Sequence, residues 1–295
     1  MRGQSAVTAL PADWPLATHS RFVHAGGLRW HVQCLGNGPA IVLVHGSGAS
    51  SHTWRELAPL LASRFSLVMP DLPGHGFSGA LPDADLSLPG VARALRHLLQ
   101  ALHVEPVLAV GHSAGAAVLV RLCLDGGLAP SQLISFNGAL LPLSGLSSVW
   151  FAPVARVLAH SRLLAGLLAA RARRPGVVQR LIDSTGSTLD AQGVAWYARL
   201  VSDPAHVAGV LRLMAHWDLD ALRRDLPSLR TPLQLVVADN DRTVDPGQAR
   251  RVAGLVAHCR VVHVAGLGHL AHEEAPAQFA QLILDAGAAA PAAAA

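Results

Sequence analysis

Short apolar runs rich in branched residues alternate with helix-like segments through the first half of this chain. Leu28 to Cys34, Ala40 to His45, Phe65 to Met69, Val107 to Val110 and Leu133 to Phe136 read as strands, with helical candidates between them. Such βαβ alternation predicts a mainly parallel sheet covered by helices on both faces. The first strands, near Arg21 to Val23 and Leu28 to Cys34, are expected to pair antiparallel around Gly26-Gly27. From about Leu141 to Trp217 the strand signal stops. Leu-, Ala- and Arg-rich helical pieces replace it, punctuated by Pro153, Pro175-Gly176, Gly186, Gly193 and Pro204. The βα pattern then resumes with a strand Leu233 to Ala238, a helix from about Pro246 to Val256, a strand Arg260 to Val264 and a closing helix Pro276 to Asp285. The pattern predicts an α/β core in two parts, 21–140 and 218–286, interrupted by an all-helical insertion, 141–217. An N-terminal extension, 1–20, precedes it, and an Ala-rich tail, 287–295, is expected to fray.

Composition narrows this picture. With 51% hydrophobic and 14% charged residues over 295 positions, disorder is excluded as a description of the whole. The longest apolar candidate for a membrane span, Gly138 to Ala155, is broken by Pro142, Gly145 and Pro153. Met1 to Ser20 has no continuous apolar stretch of the kind a secretory leader needs, so a cytoplasmic protein is expected. Cys34, Cys123 and Cys259 are odd in number and far apart, which suits thiols in a reducing compartment.

Lysine is absent: all 23 basic residues are arginine, which removes Schiff-base and Walker-type lysine chemistry. The pI near 9.7 has a local origin. Between Gly145 and Asp218 eight arginines face four aspartates, and the remaining 15 arginines are balanced by 15 acids. These eight arginines lack interleaved aromatic residues, so nucleic acid is not an expected partner.

The most informative pentapeptide is Gly111-His112-Ser113-Ala114-Gly115, set between the apolar run Pro106 to Val110 and the small-residue helical stretch from Ala116. A G-x-S-x-G sequence between strand and helix makes a tight turn that lifts one hydroxyl out of the backbone, and the glycines leave room for it. Serine is a poor nucleophile at neutral pH and needs a base, which in turn needs a group to hold its tautomer. Ala265-Gly266-Leu267-Gly268-His269 offers the base after the last strand. Ala238-Asp239-Asn240-Asp241 offers two carboxylates after the preceding one, Asp239 and Asp241, and both stay open at this point. For the oxyanion, His45-Gly46-Ser47-Gly48 follows the strand Ala40 to Val44. The backbone N–H groups of Ala114 and Ser47 are the expected donors, with the Ser47 hydroxyl as a third.

His45-Gly46-Ser47-Gly48, Asp71 to Ser78 (DLPGHGFS), Gly111 to Gly115 and Gly266 to His269 together resemble the α/β-hydrolase family over roughly Arg21 to Ala286. The resemblance implies an α/β-hydrolase fold, a mainly parallel eight-stranded sheet with an inserted helical cap, and the chain order Ser113, Asp241, His269 for a catalytic triad. Closer still, Asp71 to Ser78, Gly111 to Ala117, Trp196 to Val207 and Gly268 to Pro276 are similar to the BchO-like magnesium-chelatase accessory subgroup of bacteriochlorophyll biosynthesis. That subgroup implies a photosynthetic bacterium, a tetrapyrrole or other small ester as substrate, association with magnesium chelatase, and a place in the cytoplasm or at the periphery of photosynthetic membranes.

Ester or related acyl hydrolysis is the expected chemistry. Dehalogenases and epoxide hydrolases of this fold use an aspartate where Ser113 stands. Carbon–carbon bond hydrolases usually carry Asn and Trp where this chain has His112 and Leu270. A non-catalytic tetrapyrrole carrier or chelatase partner is the rival from another class. The expected pocket comprises Gly46, His112, Trp150, Phe151, Trp196, Trp217 and Leu270, with the arginines of the insertion either solvated or meeting substrate carboxylates. No cofactor or metal is expected, although His269, His272, Glu273 and Glu274 have spacing that could suit a metal.

Overall fold

The computed structural model describes residues 10–142 and 161–289. Among them, eight strands form one sheet in the order β1-β2-β4-β3-β5-β6-β7-β8. β1 (Ser20–Ala25) and β2 (Leu28–Leu35) form an antiparallel hairpin, and β2 pairs antiparallel with β4 (Ser66–Pro70). β3 (Ala40–Val44), β5 (Leu108–His112), β6 (Gln132–Phe136), β7 (Leu233–Ala238) and β8 (Cys259–Val264) continue in parallel from β4.

The uniformly apolar strands are those covered on both faces, and their period of two divides the core. Ile41, Leu43, Leu67, Met69, Leu108 and Val110 point to one face, where α1 (Leu57–Leu61) and α11 (Pro276–Ala289) cover them. Val42, Val44, Val68 and Ala109 point to the other, beneath α2 (Leu88–Ala101) and α3 (Ala114–Leu124). Helix α2 is amphipathic, with Val91, Leu95 and Leu98 fully buried and Ser87 capping its N-terminus through the N–H of Gly90. Helix α3 is buried almost along its length, as its small and branched residues require.

Between β6 and β7 the described chain forms α4 (Arg162–Ala172), α5 (Val177–Ser184), α6 (Ala191–Val201) and α7 (Pro204–Ala215), which pack on one another. α8 (Asp220–Asp225) then returns the chain to the core against α3. After β7 come α9 (Gln248–Ala253), shorter at both ends than its periodicity suggests, and after β8 α10 (Ala271–Glu274). Helix α11 runs to Ala289 and so continues past Asp285, because Ala-rich sequence prolongs a helix readily. The rest of the tail lies outside the described residues.

The segment before β1 is anchored: Trp14 is buried between Phe77 and Trp196, and the Gln33 amide donates to the Pro15 carbonyl at 2.6 Å. The three cysteines are half-buried and unpaired with one another. No described helix is long and apolar enough to cross a membrane. The carboxyl ends of β3, β4, β5, β6, β7 and β8 open onto one edge of the sheet, where α/β proteins build their sites.

Candidate active site

Ser113 is the hinge between β5 and α3. Its backbone sits at φ 50°, ψ −118°, a conformation that costs a residue with a side chain on the order of 1–3 kcal/mol. Its N–H donates to the Phe136 carbonyl at 3.0 Å, and its carbonyl accepts from Ala116 and Ala139, so the strained turn is held on three sides. The flanking glycines permit the close packing this requires. A Cβ on Gly115 would lie 2.1 Å from the Val44 carbonyl oxygen, and one on Gly46 would lie 2.9 Å from the Ser113 Cβ. The loop after β3 is thereby drawn against the Ser113 turn. Ala114 begins α3, where N–H groups lack partners within the helix. In the loop after β3, the Ser47 hydroxyl is buried with no hydrogen-bond partner among the described residues.

His269 is 6% exposed and its Nδ1 lies 2.7 Å from Asp241 Oδ2. The other oxygen of Asp241 accepts the N–H groups of Thr243 at 2.7 Å and Val244 at 2.9 Å, which fixes the carboxylate in its loop. Asp239 instead reaches the half-exposed His263 at 3.0 Å. Two residues apart in one loop, the carboxylates are thus separated by direction.

The backbone of His269 is equally well held. Its carbonyl accepts from Asn137 Nδ2 and His112 Nε2, both at 2.9 Å. Asn137 also donates to the Gly268 carbonyl at 3.0 Å and accepts from Ala238 N–H at 2.8 Å, tying β6, β7 and the histidine loop together. Because Nε2 of His112 donates, its Nδ1 is unprotonated, and burial first, then neighbouring histidines, hold the imidazole well below its ordinary range.

The stretch between α5 and α6 fastens the acid and histidine loops to each other. The Thr185 carbonyl accepts from Arg242 N–H at 3.1 Å and from His269 N–H at 3.3 Å. Ser187 Oγ accepts the Leu270 N–H at 2.8 Å, and Glu274 accepts the N–H groups of Gly268 and Thr188. Leu270 packs among Ala49, Val178, Ile182, Leu189 and Tyr197, where the loop after β3 meets the inserted helices.

Behind His269 lies a buried charged network. Glu273 pairs with Arg55, and its other oxygen accepts the Thr53 and Tyr197 hydroxyls at 2.6 Å each. Thr53 Oγ1 in turn accepts from His272 Nε2 at 2.7 Å. Burial raises the Glu273 carboxyl above its ordinary range, against the opposing pull of Arg55. Burial, followed by the Glu273 charge, raises Tyr197.

On the other side, the Asp71 carboxylate accepts from His31 at 2.8 Å and from the N–H groups of Ser51 and Phe77. Burial opposes its charge, but His31 and these donors hold the carboxyl below its usual range. His206 of α7 accepts the Gly76 N–H and donates to the Gly48 carbonyl, so an inserted helix also grips the loop after β3.

Trp196, half-buried, packs edge-on against Trp14, and Trp217, also half-buried, leans on the main core. Trp150 and Phe151 lie outside the described residues. Arg162, Arg171, Arg173, Arg174 and Arg180 are exposed. Among the described residues no group of three or more His, Cys, Asp or Glu side chains could hold a metal ion, since His272, Glu273 and Glu274 are engaged as above.

Asn137, Arg55, Thr53 and Tyr197 were not legible as site residues. Asn137 carries a weak signal, an Asn-Gly pair directly after a strand. The others become neighbours only through contacts spanning 76 to 220 residues.

A family model described as the alpha/beta hydrolase family matches residues 41–282. The chain belongs to that family. Within it, the chain is 36% identical over 279 residues to the magnesium-chelatase 30 kDa subunit of Rhodobacter capsulatus, covering 94% of this chain and 97% of that protein. Among solved structures, an alpha/beta hydrolase fold protein from Burkholderia ambifaria superposes with a TM-score of 0.75 at 28% identity, over 92% and 97% of the two chains. An esterase from Exiguobacterium antarcticum, at 18% identity, shares the fold with a TM-score of 0.72 over 90% and 98%.

Proposed function

We propose that this alpha/beta hydrolase is a serine hydrolase of an ester or related acyl bond, with Ser113 as nucleophile, His269 as base and Asp241 as the group that orients the base. The observation that carries this reading is the 2.7 Å contact between His269 Nδ1 and Asp241 Oδ2. A proton held on Nδ1 leaves Nε2 free to accept one from Ser113.

The reaction then follows the polarity of the site. Ser113 Oγ bonds to the substrate carbonyl carbon while its proton passes to His269 Nε2, and the oxygen that gains charge is received by the N–H groups of Ala114 and Ser47. The Ser47 hydroxyl, buried without a partner among the described residues, supplies a further donor. Collapse of the tetrahedral species breaks the bond to the leaving alcohol, which takes the proton from His269. Water then repeats the sequence on the acyl-enzyme and restores Ser113. Asp241 remains ionised throughout and stabilises the imidazolium.

The proposed setting is magnesium-tetrapyrrole metabolism, supported by the 36% identity to a protein named as a magnesium-chelatase subunit. The substrate class is then a carboxyl ester of a tetrapyrrole, and the location the cytoplasm beside pigment-bearing membranes. The same relative's name favours a second reading, an accessory protein that binds tetrapyrrole or chelatase without catalysis.

Labelling with a fluorophosphonate probe separates the two. The wild-type chain is expected to take up one label and Ser113→Ala none, and magnesium protoporphyrin monomethyl ester is expected to be hydrolysed. Saturable binding of that pigment with no labelling of Ser113 overturns the hydrolase reading in favour of the accessory one.

A further inference from the structure

Helix α4 is packed inside out. Its buried positions are the small residues Ala165 and Ala169, four apart on one face, whereas Leu163 is 75%, Leu167 60% and Leu168 40% exposed. Burial of leucine before alanine is the ordinary outcome of folding in water, since the larger side chain removes more apolar surface. Leu181 on α5 and Met214 on α7, helices that both pack against α4, are more than half exposed as well. The leucines are interspersed with cations. Arg162, Arg171, Arg173, Arg174 and Arg180 are exposed, and Asp183 is the one acidic residue between 161 and 184. Where α4 ends, a cavity of about 450 Å³ opens between α4, α5 and α6, with Val178, Val194 and Ala198 on its wall and Arg173 and Arg174 on its rim beside Arg199, whose charge is already met by Asp13.

We propose that this face of α4, with the arginine-rich turn into α5, docks on an anionic lipid bilayer. The leucines enter the interface, the arginines bind lipid phosphates, and the cavity receives one headgroup with the start of its acyl chains. Guanidinium groups bind phosphate through paired N–H donors, and apolar side chains flanked by cations are what an anionic membrane surface retains. A second copy of the chain fits less well. A two-fold contact through this face would set its arginines against their own counterparts. The proposal deepens only the location within the reading above and does not depend on Ser113 acting as a nucleophile.

Flotation of the full chain with phosphatidylcholine vesicles, with and without phosphatidylglycerol, tests it. Wild type is expected to float with the anionic vesicles, weakly or not at all with the neutral ones, and to be released by high salt. Each basic residue near such a surface contributes roughly five-fold in partitioning, so Arg171→Glu with Arg174→Glu should lower binding by more than about 25-fold. Leu163→Gln with Leu167→Gln should lower it about ten-fold or more at every salt concentration. All four side chains are exposed, and unchanged thermal melting of each variant verifies the fold. Failure of wild type to float with anionic vesicles overturns the proposal, as does flotation that neither pair of substitutions weakens. Self-association abolished by the leucine substitutions, without vesicle binding, assigns the face to a second copy and overturns it too. Fluorophosphonate labelling of Ser113 is read separately, so failure here leaves the chemical assignment standing.

Discussion

Replacing Asp241 by asparagine changes few atoms and should cost the proposed hydrolysis most of its rate. One carboxylate oxygen accepts two backbone N–H groups, from Thr243 and Val244, and the other faces His269 Nδ1. An asparagine must keep its carbonyl oxygen toward the two N–H donors, because an amide NH₂ placed there would oppose them. The NH₂ therefore points at His269 Nδ1, which becomes the acceptor, and the ring proton moves to Nε2. A histidine protonated on Nε2 cannot take the Ser113 proton. The expected loss is roughly 10⁴-fold in kcat, about 5.4 kcal/mol of transition-state stabilisation, with little change in KM or in melting temperature because the loop keeps its two N–H contacts. Hydrolysis of p-nitrophenyl esters and the rate of fluorophosphonate labelling both measure it. Asp239→Asn serves as the control, since that carboxylate meets the half-exposed His263 and no other side chain among the described residues, and it should alter the rate by less than about three-fold. A larger loss from Asp239→Asn than from Asp241→Asn, or a loss under ten-fold from Asp241→Asn, would refute the reasoning.

Other consequences are as direct. In Gly186→Ala the new Cβ would stand 2.0 Å from the Asn240 carbonyl oxygen at a residue with φ 82°, so the acid loop must move; a melting temperature and esterase rate equal to wild type would contradict the bridging role given to Thr185–Thr188. Tyr197→Phe removes one of the hydroxyls on Glu273 and should cost about 1–2 kcal/mol in denaturant unfolding. Glu273→Gln leaves Arg55 without its buried counter-charge and should cost more, about 3–5 kcal/mol, so the reverse order would count against the network. Acid should unfold the protein early. His45 and His206 are pushed down to about 4, and His75 and His272 to about 3, chiefly by burial. Each stays neutral in the folded chain while its unfolded counterpart protonates near 6.5. Their stabilisation is complete above that pH and is lost as pH falls toward 4 and 3, so the melting temperature should drop steeply below about pH 6.5. A melting temperature unchanged down to pH 4.5 would show that these rings are not buried as neutral groups.

What the sequence by itself determined is what local physics and chain order determine. Apolar runs covered on both faces announced the strands, because a buried parallel strand can expose no polar side chain. Glycines around Ser113 announced the turn, because the backbone of β3 passes within 2.1 Å of where a Cβ on Gly115 would stand. The loops after β7 and β8 were legible as carriers of a carboxylate and an imidazole. Which carboxylate faces the histidine was decided by tertiary structure, since Asp239 and Asp241 share a loop and a chemistry and differ only in direction. Asn137 was silent because its partners are backbone groups of Gly268, His269 and Ala238, more than 100 residues away. The Arg55–Glu273–Tyr197 network and the bridge made by Thr185 were silent for the same reason: burial of charge and of polar backbone has to be satisfied wherever the chain folds back. The inverted burial of α4 belongs to this class too. Periodicity shows that a helix carries leucines and alanines, but only the neighbouring helices decide which of the two they cover.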